Sequence, residues 1–132
     1  MKYLLAFFGD EGGWDDTSPE ERQEGMRLWG EYEQSLLDSG AYVAGEGLQP
    51  SATATTVKRE ADDRIVTDGP FAETKEQLGG FYLIDVANLD EALEWAKRVP
   101  VSDGMSTEVR PVMDYAQFGY ESPAEAAKAA AS

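Results

Sequence analysis

Two stretches of this chain are apolar at almost every position, and they limit what it can fold into. The first is Tyr3-Leu4-Leu5-Ala6-Phe7-Phe8; the second is Phe81-Tyr82-Leu83-Ile84-Asp85-Val86. Runs this short, rich in aromatic and branched residues, read as buried strands. Successive side chains of a strand point to opposite faces, so both faces of these strands carry apolar groups. Helices on one face of such a sheet leave the other face bare, and large apolar areas rarely stay exposed on a monomer. The pattern therefore predicts a homodimer packed back to back through the free face.

The remaining elements follow from capping and turn chemistry. Ser18, Pro19 and Glu21 make a helix start, with Ser18 as N-cap and Glu21 placed to close a capping box. Met26, Trp29, Tyr32 and Leu36 recur at helical spacing and predict its apolar face. Gly40 follows Ser39 as a left-handed stop. Tyr42-Val43-Ala44 opens a second strand, and Thr53–Val57 and Arg64–Thr67 around the polar turn Glu60–Asp63 predict a hairpin. Asp68-Gly69-Pro70-Phe71 reads as a loop followed by a polar stretch to Gly79-Gly80, the two glycines a flexible lead-in to the strand at Phe81. Asn88 and Glu91 cap a second helix whose apolar face is Leu89, Ala92, Leu93 and Ala96, and Pro100 stops it. Thr107 to Met113 is the last strand, with Pro111 pointing to an edge or an end. Without the hairpin the order is βαββαβ, so the expected class is α+β: a ferredoxin-like antiparallel sheet with two helices and an inserted hairpin. Residues 114–132 form a separate Ala-rich extension in which Tyr115, Phe118 and Tyr120 are available for packing and Ser122-Pro123 starts a further helix.

Composition removes whole classes of chemistry. The chain has 132 residues, no Cys and no His. One domain of this size buries a core without disulfides. A catalytic triad, a thiol–imidazole dyad, a zinc ribbon and a His-based metal site are all impossible within it. The net charge of −15 argues against nucleic acid, which requires a basic footprint, and against an anionic membrane surface. The first apolar run is shorter than the ~7–15 residues of a secretory h-region, and Asp10 and Glu11 follow it directly. Nothing approaches the ~20 apolar residues of a membrane span, so the expected location is the cytoplasm. No cofactor motif is present: Gly79-Gly80 precedes a strand and lacks the Lys-Ser/Thr of a phosphate loop.

The stretch Val66-Thr67-Asp68-Gly69-Pro70-Phe71-Ala72-Glu73-Thr74-Lys75-Glu76-Gln77-Leu78-Gly79-Gly80-Phe81-Tyr82 resembles the signature of the DGPF proteins within the YCII-related family. Tyr42-Val43-Ala44-Gly45-Glu46-Gly47-Leu48, Leu48-Gln49-Pro50, Thr53–Val57, Asp90-Glu91-Ala92-Leu93 and Glu108–Val112 match in order, so the resemblance covers about residues 1–113. It implies a dimeric α+β barrel of ferredoxin-like protomers, with a cleft between sheet and helices. Some members of the family rely on a His–Asp pair, which a chain without His does not carry. DGPF proteins are often encoded beside extracytoplasmic-function sigma factors, which implies a possible regulatory link.

Candidate site residues come from the signature and its surroundings. Asp68 either pins the Asp-Gly-Pro turn or stands at a cleft mouth as general base or polar anchor. Pro70, Phe71, Tyr82 and Arg110 are the candidate ligand contacts. Phe71 and Tyr82 equally suit the core, and Arg110 beside Glu108 equally suits a structural ion pair. Glu73 and Lys75 read as a solvated pair. Asp10, Glu11, Asp15 and Asp16 form an acidic loop whose spacing does not match a calcium-binding loop. Three functions fit these residues. One is a small-molecule-binding, regulatory homodimer. Another is a cofactor-free enzyme using Asp68 with Tyr82 or Arg110. The third is a protein-interaction module.

Overall fold

The computed structural model of the chain describes residues 1–13, 16–72 and 74–131. Asp15 of the acidic loop and Glu73, paired above with Lys75, lie outside them. Along the chain run β1 (Lys2–Gly9), α1 (Pro19–Ser39), β2 (Tyr42–Gly47), β3 (Thr55–Glu60), β4 (Asp63–Asp68), β5 (Gln77–Asp85), α2 (Leu89–Lys97), β6 (Ser106–Pro111) and α3 (Pro123–Ala131). Short 3-10 turns lie at Glu11–Gly13, Ser51–Thr53 and Tyr115–Phe118. Four strands make one antiparallel sheet in the order β2-β5-β1-β6, and β3 and β4 pair only with each other. With that hairpin set aside, the order and pairing are those of a ferredoxin-like βαββαβ sheet. Strand β6 is at an edge, and Pro111, which has no amide hydrogen to donate, is its last residue.

The N-caps form as the sequence dictates, although Glu21 does not close the capping box expected at Ser18. Ser18 Oγ accepts the amide of Glu21, and Asn88 Oδ1 accepts that of Glu91. The Glu91 carboxylate reaches back to the amide of Ala87. Gly40 closes α1 at φ 81°, a conformation that disfavours any side chain.

Strand alternation sorts the sheet into two faces. Tyr3, Leu5 and Phe7 of β1 join Tyr82 and Ile84 of β5 in the core, beneath Tyr32 and Leu36 of α1 and Ala92 of α2. On the opposite face, Leu4, Ala6 and Phe8 of β1 stand beside Leu83 and Phe81 of β5, with Glu108 and Arg110 of β6 alongside. Leu4, Phe8, Phe81 and Leu83 are only half-buried there. Both strands are thus apolar on both sides, as their sequences require, and both core helices lie on one side.

Three expectations are corrected. Met26 is 71% exposed; the inward residues of α1 are Trp29, Tyr32 and Leu36, because no residue of its first three turns is buried. On α2 the packed residues are Ala92, Trp95 and Ala96, while Leu89 and Leu93 face outward. Gly79 and Gly80 are not a flexible lead-in: β5 begins at Gln77, and both glycines lie within it. Gly80 is required there by a close approach of backbones, since a Cβ on it would lie 2.8 Å from the carbonyl oxygen of Glu46 in β2.

Candidate functional site

The hairpin leaves the sheet after β2 and returns before β5, and the segments at its base enclose a space. The first wall is the Ser51–Thr53 turn. Its amide and hydroxyl are anchored by the Glu11 carboxylate, with the Ser51 amide at 2.9 Å and Ser51 Oγ at 2.6 Å. Glu11 is therefore spent on a structural contact, and Asp10 accepts the Gly12 amide. Among the described residues no group of three or more His, Cys, Asp or Glu is placed to hold a metal.

The second wall is the chain leaving β4. Gly69, at φ +105°, donates its amide to Ala54 O at 2.7 Å, and Thr56 Oγ1 donates to Gly69 O at 2.7 Å. These two bonds hold Pro70 and Phe71 against the Ser51–Thr53 turn. The floor is the end of the main sheet. Between Phe7 and Phe8 the β1–β5 register slips by one residue: Phe7 faces Gly80, but Phe8 faces Leu78, so Gly79 is an extra residue in β5. Such a bulge re-aims the side chains beyond it. It puts Leu78 beside Phe8, on the face away from the helices.

The space is an open cavity of about 630 Å³, with Phe8, Leu48, Pro50, Pro70, Phe71 and Leu78 as its apolar lining. That is the size range of small-molecule pockets, ~300–1,000 Å³. Phe71 is 86% exposed and stands at the mouth.

The space between helices and sheet, where the resemblance placed a cleft, is filled instead. Phe7, Trp29, Tyr32, Tyr42, Tyr82 and Trp95 form a continuous cluster of rings, mostly edge to face, with centroids 5.0 to 6.4 Å apart. The Tyr82 ring lies across Gly45, where an added Cβ would come within 2.2 Å of it. Tyr82 donates its hydroxyl to Glu33 Oε1 at 2.9 Å, and Tyr32 donates to Trp95 O at 2.8 Å. Burial pushes both phenols well above their ordinary pKa; the bond to Glu33 adds to this at Tyr82, and the positive charge of Arg98 opposes it at Tyr32.

Of the residues singled out by sequence, Pro70 and Phe71 come together in the cavity. Asp68 is exposed at the end of β4, and its carboxylate makes no hydrogen bond among the described residues; Thr56 and the Gly69 amide hold the turn. Tyr82 points to the helices, on the other side of the sheet from the cavity floor. Arg110 lies on edge strand β6, bonded to Glu108 at 2.6 Å. Asp68, Tyr82 and Arg110 thus occupy three separate surroundings. Sequence reasoning missed Phe8 and Leu78, because a bulge leaves no mark in a hydrophobic pattern. It also missed Glu33, which sits among the polar positions of α1. Leu48-Gln49-Pro50 was visible as a motif, but nothing in it pointed to a cavity.

No described helix is long and apolar enough to cross a membrane. A family model described as the YCII-related domain matches residues 1–116. An uncharacterised protein of Rhizobium meliloti (strain 1021) is 40% identical over 117 residues, covering 87% of this chain and 94% of that one. With the ferredoxin-like sheet and its inserted hairpin in place, the chain belongs to the YCII-related domain family.

Proposed function

We propose that this protein is a small-molecule-binding homodimer with one ligand in the cavity at the hairpin base of each protomer. The observation that carries this is the cavity itself: about 630 Å³, apolar on its inner walls, with Pro70 and Phe71 of the signature segment in its lining. A space of that size with apolar walls binds by removing ligand surface from water, at roughly 25 cal/mol per Å². The second copy covers the apolar face formed by Leu4, Ala6, Phe8, Phe81 and Leu83. Phe8 belongs to both surfaces, so the dimer interface borders the cavity. The resemblance to proteins encoded beside extracytoplasmic-function sigma factors supports a regulatory setting for such binding.

Native mass spectrometry on protein purified from its own host tests both parts. A dimer mass carrying a discrete small adduct is expected, and the adduct is lost on replacing Phe71 and Leu78 with smaller side chains. A monomer at micromolar concentration overturns the dimer, and an adduct retained by that double variant overturns the cavity.

A further inference from the structure

The cavity wall has a polarity that its apolar lining hides. Apart from Gln49, whose side-chain amide keeps its donors, its polar side chains have committed their donors within the protein. Ser51 Oγ donates to Glu11, Thr53 Oγ1 to Pro50 O, Thr56 Oγ1 to Gly69 O and Thr74 Oγ1 to Glu76 O. Gln77 Nε2 donates to Thr74 O at 2.8 Å. The backbone repeats the pattern. The amides of Ser51, Thr53, Ala54 and Thr74 are bonded internally, that of Leu48 is bonded to Gly79 O, and Pro50 and Pro70 have none. A hydroxyl that has donated its hydrogen still offers oxygen lone pairs. Away from Gln49 and the amides of Phe71, Ala72 and Glu76, the wall therefore presents mainly acceptors.

Charge runs in the same direction. Among the described residues, the only charged side chain in the lining is Glu76, and no Lys or Arg lines the cavity. The chain as a whole carries −15, which lowers the cost of bringing a cation to its surface and raises that of an anion. One carboxylate is too few for a bare metal ion, which needs several oxygen ligands fixed around it. It suffices for an ammonium group, which brings three donors and one charge to a wall of acceptors.

We propose that the ligand is an amphipathic organic monocation: an apolar body of aromatic or branched-chain size held by Phe8, Leu48, Pro50, Pro70, Phe71 and Leu78, bearing a primary amine directed to Glu76. This rests on the reading of the cavity as the ligand site, and it ranks carboxylates and phosphates below amines at that site.

Three probes with one body separate the two claims: 4-phenylbutylamine, 4-phenylbutanol and 4-phenylbutyrate, titrated into the full chain. Binding is located by NMR shifts at Leu48, Leu78 and Phe8. The amine should bind about three- to fivefold more tightly than the alcohol, the increment of one half-exposed ion pair, and the carboxylate should bind most weakly. Glu76→Gln should bring the amine to the affinity of the alcohol, and an unchanged circular dichroism spectrum shows that the variant is folded. An alcohol or carboxylate that matches or exceeds the amine overturns the charge class while leaving the site intact. If no probe shifts the cavity resonances at millimolar concentration, or the amine shifts only residues elsewhere, the site reading itself is overturned.

Discussion

Tyr82 shows how one side chain serves the core and still holds a polar bond. Its ring closes over Gly45 and its hydroxyl ends on Glu33. Burial favours the neutral phenol here and at Tyr32, so both pKa values are raised on folding. The sign of the linkage follows. The unfolded chain loses these protons near pH ~10, while the folded chain keeps them, so between the two pKa values the unfolded state binds fewer protons. Their contribution to stability is complete below pH ~10 and is lost as pH rises above it. Urea midpoints should therefore fall between pH 9 and pH 11, and phenolate absorbance should show two tyrosines that ionise only with unfolding. A midpoint unchanged across that interval would contradict the assignment. Tyr82 was legible as an apolar residue of a strand. Its partner was not, because Glu33 on a helix reads as solvated until the sheet beneath the helix is known.

At the level of elements, caps and strand runs were legible because each is fixed by a few neighbouring residues. The Ser18 and Asn88 caps, the Gly40 stop and the hairpin all formed where local chemistry put them. The helix faces were less legible, since periodicity names the stripe but not how much of it has a sheet to meet. Helix α1 has 21 residues, yet its buried positions, Tyr32 and Leu36, lie in its second half. Two substitutions should separate stripe from contact. Leu36→Ala, at a fully buried site, should cost about 2–5 kcal/mol by chemical denaturation. Met26→Ala, at the exposed end of the same stripe, should change stability by less than about 0.5 kcal/mol. Comparable losses at both positions would mean that the first half of α1 is covered in solution. The start of β5 was the least legible boundary, because two glycines look like a loop unless the neighbouring backbone that excludes a Cβ is in view.

For the whole molecule, the decisive balance is between an apolar sheet face and a large like charge. In the proposed dimer, Leu4, Ala6, Phe81 and Leu83 would meet a second copy, while each copy carries −15 and repels the other. Salt screens that repulsion over ~10 Å at 0.1 M and leaves the apolar contribution in place. Dimerisation should therefore tighten as salt is raised from 20 to 300 mM, read by analytical ultracentrifugation. Leu83→Lys should release monomers while leaving the circular dichroism spectrum unchanged; dimers that persist in this variant would place the interface elsewhere. The architecture was legible in the order of segments, and so was the apolar character of the sheet's second face. The cavity was not, since it depends on segments that meet only after the hairpin folds back. Its floor also depends on Gly79, which sets the parity of β5: the residues after it count from the far end as odd, and those before it as even. Iron out the bulge with Gly79 retained, and Leu78 would pair with Gly9 and turn from the cavity to the helices, although no wall residue has changed. A slip of one residue in strand register thus decides whether this pocket has its floor, while the composition of the protein and the order of its strands stay as they were.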